Sequence, residues 1–257
     1  WVDAVLLDLF FGVSSKVSLI TAYTGDVVLP DAEDWSIDGM VYALYAQHTF
    51  GQHDVGVLFG EVRGDEVFGL TVATYAGPVG IHGDVTYTLP ADSDEEDPFV
   101  RGVLGAMWTV TPDLVVTSEL YHQSLGATDP EDYLTQLEGE RYQRGELWLV
   151  GTTYASGTLA YQATPLIQST ATLIGNMVDG SALLAPGVTV SVSDEVQLVV
   201  GGFVGLGERP DEVQVADLLD PNTGFPMQGE SLNAALGVND EFGFYPSSAY
   251  VQMKAYF

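Results

Sequence analysis

The chain has 257 residues, 46% of them hydrophobic, with 7 Lys+Arg against 36 Asp+Glu for a net charge of -29, and no cysteine. That charge excludes nucleic-acid binding, which relies on Lys and Arg neutralising phosphates, and zero cysteines exclude disulfides and thiolate-held metals or clusters. No stretch reaches the roughly 18 uninterrupted apolar residues of a spanning helix, since even Val2 to Val13 is broken by Asp3 and Asp8, while 29 glycines with 11 Phe, 13 Tyr and 4 Trp exclude a disordered acidic chain.

Successive side chains of a strand point to opposite faces, so period-two alternation is the informative pattern. It predicts strands, in chain order, over 2–11, 14–23, 37–48, 53–62, 66–76, 79–89, 98–110, 113–123, 146–164, 167–178, 187–192, 195–207 and 247–257. In the sixth, Val79, Ile81, Val85 and Tyr87 oppose His82, Asp84, Thr86 and Thr88. In the ninth, Leu147, Leu149, Leu159 and Tyr161 oppose Glu146, Thr152, Thr158 and Gln162. Val188, Val190 and Val192 alternate with Thr189 and Ser191, and Val196, Leu198, Val200, Val204 and Leu206 share a face that excludes Gln197. The last strand sets Ala249, Val251, Met253, Ala255 and Phe257 against Tyr250, Gln252, Lys254 and Tyr256. Most of these segments match the roughly 9–11 residues of a tilted bilayer-crossing strand and exceed the five or six typical of soluble strands. The length excess favours a membrane sheet over a sandwich.

The connections alternate between tight and long, with Gly64–Asp65 and Asp179–Gly180 as short members of the long side. Gly12–Val13, Thr49–Gln52, Gly77–Pro78, Thr111–Pro112, Pro165–Leu166 and Asp194 are tight, whereas 24–36, 90–98, 124–145 and 208–246 are long. Short turns on one side and long loops on the other are the pattern of outer-membrane barrels. The four long loops hold 22 of the 36 acidic residues, so the charge gathers at one end. Counting back from Phe257, an odd strand number puts Trp1 on the long-loop side. Bacterial barrels use even numbers with both ends periplasmic, so at least one upstream strand and a signal peptide are expected before this sequence.

With its terminal Tyr250–Val251–Gln252–Met253–Lys254–Ala255–Tyr256–Phe257 and the hairpin-like Asn176 to Leu184, the chain resembles the porin-like outer-membrane β-barrel proteins of Gram-negative bacteria. The resemblance implies an all-β fold, an antiparallel transmembrane β-barrel with 13 strands visible and 14 or more when intact. It implies a single barrel domain over 1–257, outer-membrane lipid as surroundings, insertion by the barrel assembly machinery, and passage of small solutes or ions. Tyr250, Gln252, Lys254 and Phe257 correspond to the family's C-terminal assembly signal.

On this parity the lumen-facing residues are Lys16, Asp84, Arg101, Glu119, Glu146, Gln162 and Lys254. Rings of charge would set ion preference in a channel; the plainer reading is isolated, solvated or mutually paired side chains. His82 and Asp84 share a face and could form an acid–base pair, but no further catalytic partner accompanies them, and His122–Gln123–Ser124 offers still less. Asp92 to Asp97 could hold a hard cation, yet it lacks the EF-hand spacing and central glycine, and a solvated charge run suffices. Trp108, Trp148, Tyr75, Tyr87, Tyr121 and Tyr154 lie near strand ends, as an interfacial girdle would. No cofactor, metal or enzyme activity is expected. A porin-like channel leads, followed by a non-transporting structural or surface-anchor barrel and a hydrophobic-solute transporter.

Overall fold

The computed structural model describes residues 3–23, 40–91, 96–209, 226–227 and 238–256. Among the described residues thirteen strands follow one another: β1 (Asp3–Phe11), β2 (Ser15–Tyr23), β3 (Met40–Phe50), β4 (His53–Val62), β5 (Asp65–Ala76), β6 (Val79–Leu89) and β7 (Phe99–Thr111). Then come β8 (Leu114–Gln123), β9 (Thr153–Thr164), β10 (Ile167–Asn176), β11 (Ala182–Ser193), β12 (Val196–Leu206) and β13 (Ser248–Ala255). They form one antiparallel sheet in chain order, with β1 and β13 as its edges, so the sheet is not closed. Among the described residues no helix is long and apolar enough to cross a membrane.

The chain divides into two compact units within that sheet, Trp1–Gly105 with His122–Leu125, and Ala106–Tyr121 with Gly126–Phe257. In the first, Leu7, Leu19, Leu44, Phe59, Phe68 and Tyr87 stand opposite one another from β1 to β6. Each of these six is between 41% and 52% exposed. Phe59 and Phe68 meet ring to ring at 5.2 Å. Three residues along each strand, on the other face, run Lys16, Gln47, Gly56, Thr71 and Asp84.

The second unit repeats the division. Tyr161, Ser169, Val188, Val200 and Val251 line up across β9 to β13, as do Val190, Leu198 and Met253 beside them. Val251 and Met253 are each 72% exposed. The opposite face carries Gln162, Gln168, Thr189, Val199 and Gln252, and the Thr158 and Thr172 hydroxyls bond at 2.9 Å. Apolar side chains are therefore exposed along one face of the sheet, where a water-soluble sheet would bury them.

Three strands differ most from the sequence reading in their boundaries. The predicted strand over 146–164 begins only at Thr153. Leu147 and Val150 are buried instead, and the Ala127 N–H donates to the Val150 carbonyl at 2.7 Å in an isolated parallel bridge pairing Ala127 with Gly151. Gly126 lets the two backbones come this close, because a Cβ there would lie 2.0 Å from the Gly151 carbonyl oxygen. Tertiary packing thus overrides a local alternation. The eleventh strand starts earlier than expected, at Ala182, because the tight turn after Asn176 returns the chain directly into the ladder. The third runs to Phe50, past its predicted end, while 37–39 lie outside the described residues.

The loop between β8 and β9 folds into a 3-10 turn at Pro130–Asp132 and two short helices, α1 (Tyr133–Glu138) and α2 (Glu140–Gln143). Their apolar side packs Tyr133 against Ala127, Val150 and Val238, with Leu134, Leu137 and Tyr142 around them. Here, at the long-loop end of the second unit, lies a compact hydrophobic core.

Gly180 closes the β10–β11 turn at φ 79°, donating its N–H to the Asn176 carbonyl at 2.9 Å. A side chain in this left-handed region costs roughly 1–2 kcal/mol. Gly180→Ala should lower stability by about that amount in equilibrium urea unfolding, leaving strand content in circular dichroism unchanged.

Candidate functional site

The seven residues expected to line a lumen do not form one cluster. Lys16 lies on the polar face of β2 with its Nζ 3.9 Å from Asp8 Oδ1, and the Ser18 hydroxyl donates to the same carboxylate at 2.5 Å. Asp84 shares Lys16's row, but three strands stand between theirs. Arg101, on β7, places its guanidinium 5.4 Å from the centre of the Phe99 ring. Glu119 lies on β8, and Gln162 on β9 stands opposite Gln168. Lys254 on β13 stands opposite Gln197, on the face it shares with Tyr250 and Gln252. Phe257 is outside the described residues.

Glu146 corrects the sequence reading. It follows α2 rather than riding a strand, and Arg141 Nη1 donates to its Oε2 at 3.0 Å while Arg144 Nε donates to its Oε1 at 2.8 Å. Two cations from one helical turn hold it at the loop. His82 and Asp84 do share a face of β6, opposite Ala73 and Thr71. Among the described residues no group of three His, Asp or Glu could hold a metal ion; Asp92 to Glu95 of the acidic run lie outside them.

The most organised polar site is one that sequence reasoning missed. Glu241, only 6% exposed, receives the Tyr154 hydroxyl on Oε2 at 2.5 Å, Asn176 Nδ2 on the same oxygen at 2.9 Å, and the Val150 N–H on Oε1 at 3.3 Å. Asp179 sits beside it, accepting from Tyr133 Oη at 2.7 Å, from Asn176 Nδ2 at 3.0 Å and from the Glu241 N–H at 2.9 Å. The Asn176 amide thus bridges the two carboxylates and also lies 3.0 Å from the Tyr133 hydroxyl. The site joins α1, β9, the β10–β11 turn and the 238–245 segment, stretches far apart in sequence. No local spacing announces it: Asn176 and Asp179 lie in the stretch expected as a hairpin, and Tyr154, expected in an interfacial girdle, is buried at this site instead.

Burial pushes the Glu241 carboxyl above its ordinary 4.5, and the nearby Asp179 charge adds to this, against the hydrogen bonds from Tyr154, Val150 and Asn176. Burial likewise raises the hydroxyls of Tyr133, Tyr142 and Tyr245, with the Glu241 charge contributing, so they remain protonated at neutral pH. Next to the carboxylate opens a cavity of about 200 Å³, lined by Tyr133, Leu134, Tyr142, Glu241, Phe244 and Tyr245 among others.

Comparison with known proteins returned no matching family model and no curated protein similar in sequence. What fold and site define is a class, an all-β protein built on one long-stranded antiparallel sheet with an apolar exposed face.

A raised folded-state pKa means that protonating Glu241 favours the folded arrangement. Its contribution is fully present below its ordinary 4.5 and is lost as pH rises through the higher folded value. Protection factors at Val150 and over 238–245, the exchange rates corrected for the intrinsic pH dependence of amide exchange, should therefore rise on acidification from pH 7 to about 4.5. In Glu241→Gln that part of the pH dependence should vanish, and a persisting dependence would assign it to other carboxylates.

Proposed function

We propose that this sheet is the wall of a porin-like β-barrel in a Gram-negative outer membrane, passing small hydrophilic solutes or ions through a polar lumen. The observation that carries the reading is the division of faces. Row after row, Leu, Val, Phe and Tyr stand half-exposed on one side, while Lys16, Gln47, Thr71 and Asp84, or Gln162, Gln168, Thr189 and Gln252, occupy the other. Water penalises such an apolar surface in proportion to its area, and hydrocarbon removes the penalty. Strands of 8 to 13 residues suit that setting.

A barrel of this strand number is wide enough for an aqueous path, whereas roughly eight strands would be filled by side chains. In a planar bilayer the reconstituted full chain should give discrete conductance steps. Its acidity favours cations in a salt gradient. Stable insertion without conductance would instead indicate a closed structural barrel, and failure to insert would remove the membrane reading altogether.

Val200 lies within β12, between Val188 and Val251 on the apolar face. Val200→Arg should lower folding stability in lipid vesicles by about 2–4 kcal/mol, the cost of a charge at the midplane. Val199→Arg, on the opposite face, should cost far less.

A further inference from the structure

We infer that the cavity beside Glu241 is a binding site for a small organic cation, a quaternary ammonium group above all. The inference rests on this pocket alone and does not require the channel reading.

Charge is the first reason. Among the described residues Glu241 and Asp179 are held by tyrosine hydroxyls, one asparagine amide and backbone N–H groups, and neither meets a lysine or arginine. A buried and a half-buried carboxylate with neutral donors leave a site short of positive charge, since such groups are ordinarily paired. Oε1 of Glu241 accepts one N–H, at 3.3 Å, and keeps capacity for a further contact.

The lining selects among cations. Tyr133, Tyr142, Phe244 and Tyr245 supply aromatic rings around the carboxylate, and Leu134, Leu137 and Val150 complete an otherwise apolar wall. Ring faces attract cations, and a cage of them is the common recognition mode for quaternary ammonium. A strongly hydrated ion would find few replacements for its water here. Ca²⁺ or Mg²⁺ asks for six or more oxygen ligands, and Glu241 already serves three donors.

Size and access agree with this choice. The cavity, at about 200 Å³, falls below the roughly 300–1,000 Å³ typical of drug-sized ligands. Phe244 and Tyr245 are 40% and 41% exposed, so the aromatic rim reaches solvent while Glu241 forms the buried floor.

The test is isothermal titration of the full chain in a maltoside detergent, because phosphocholine head groups would compete. Tetramethylammonium chloride is the probe, sodium chloride at equal ionic strength the blank, and tert-butanol the neutral counterpart of similar shape. Saturable binding of tetramethylammonium is expected, with tert-butanol at least about tenfold weaker, since the ring attraction is electrostatic. Glu241→Gln should weaken the cation by roughly tenfold or more through loss of the buried charge. Tyr142→Leu, which leaves the carboxylate network intact, should weaken it by about threefold to tenfold, the effect of one cation–π contact. Near-UV circular dichroism reports whether each variant keeps its fold; if Glu241→Gln does not, the Tyr142→Leu and tert-butanol comparisons decide. Equal binding of tert-butanol, undiminished binding by folded Glu241→Gln, or no saturable binding by the parent would overturn the inference.

Discussion

Each strand of this sheet hydrogen-bonds to its neighbour in the chain, and the rest of the molecule depends on that ladder keeping its parity. With a side-chain period of two, a slip of one residue would exchange the faces of a whole strand. The six-strand row from Leu7 to Tyr87 shows the parity held across β1 to β6, and the row from Tyr161 to Val251 shows it across β9 to β13. Register shifts do occur, between Ile167 and Gln168 and between Ser191 and Ser193. Both fall at strand ends beside tight turns, where an irregularity reaches few side chains.

Conserving parity has different consequences at the middle and at the end of the sheet. Along the strands it gathers apolar side chains where, among the described residues, no other element covers them. At the long-loop end of the second unit the chain must instead build a small interior of its own. The polar groups trapped there, Glu241, Asp179, Asn176, Tyr133 and Tyr154, satisfy one another. An unpaired buried donor or acceptor would be costly, so this network fixes where α1 and the 238–245 segment lie. The same satisfaction by neutral groups leaves the local charge negative and the neighbouring cavity suited to a cation.

The strands were largely legible because alternation is a local property: thirteen predicted segments correspond to the thirteen strands, and the shared face of Val196, Leu198, Val200, Val251 and Met253 follows from parity alone. The error at 146–152 arose from the same logic. Leu147 and Leu149 alternate as a strand would, but Val150 and Gly151 are claimed by the segment at Ala127. The Glu241 site was illegible for a complementary reason. Its members come from positions 133, 154, 176, 179 and 241, and proximity of that kind is created by packing, not by spacing.

The membrane reading stands or falls on which medium the apolar face meets. The chain contains no cysteine, so single spin labels can be introduced at Val196, Gln197, Leu198, Val199 and Val200 of the full chain reconstituted in lipid vesicles. A lipid-facing apolar surface predicts high oxygen and low water-soluble nickel accessibility at 196, 198 and 200, with the order reversed at 197 and 199. Uniform accessibility along the five positions, or free access of the nickel reagent to 198 and 200, would contradict it.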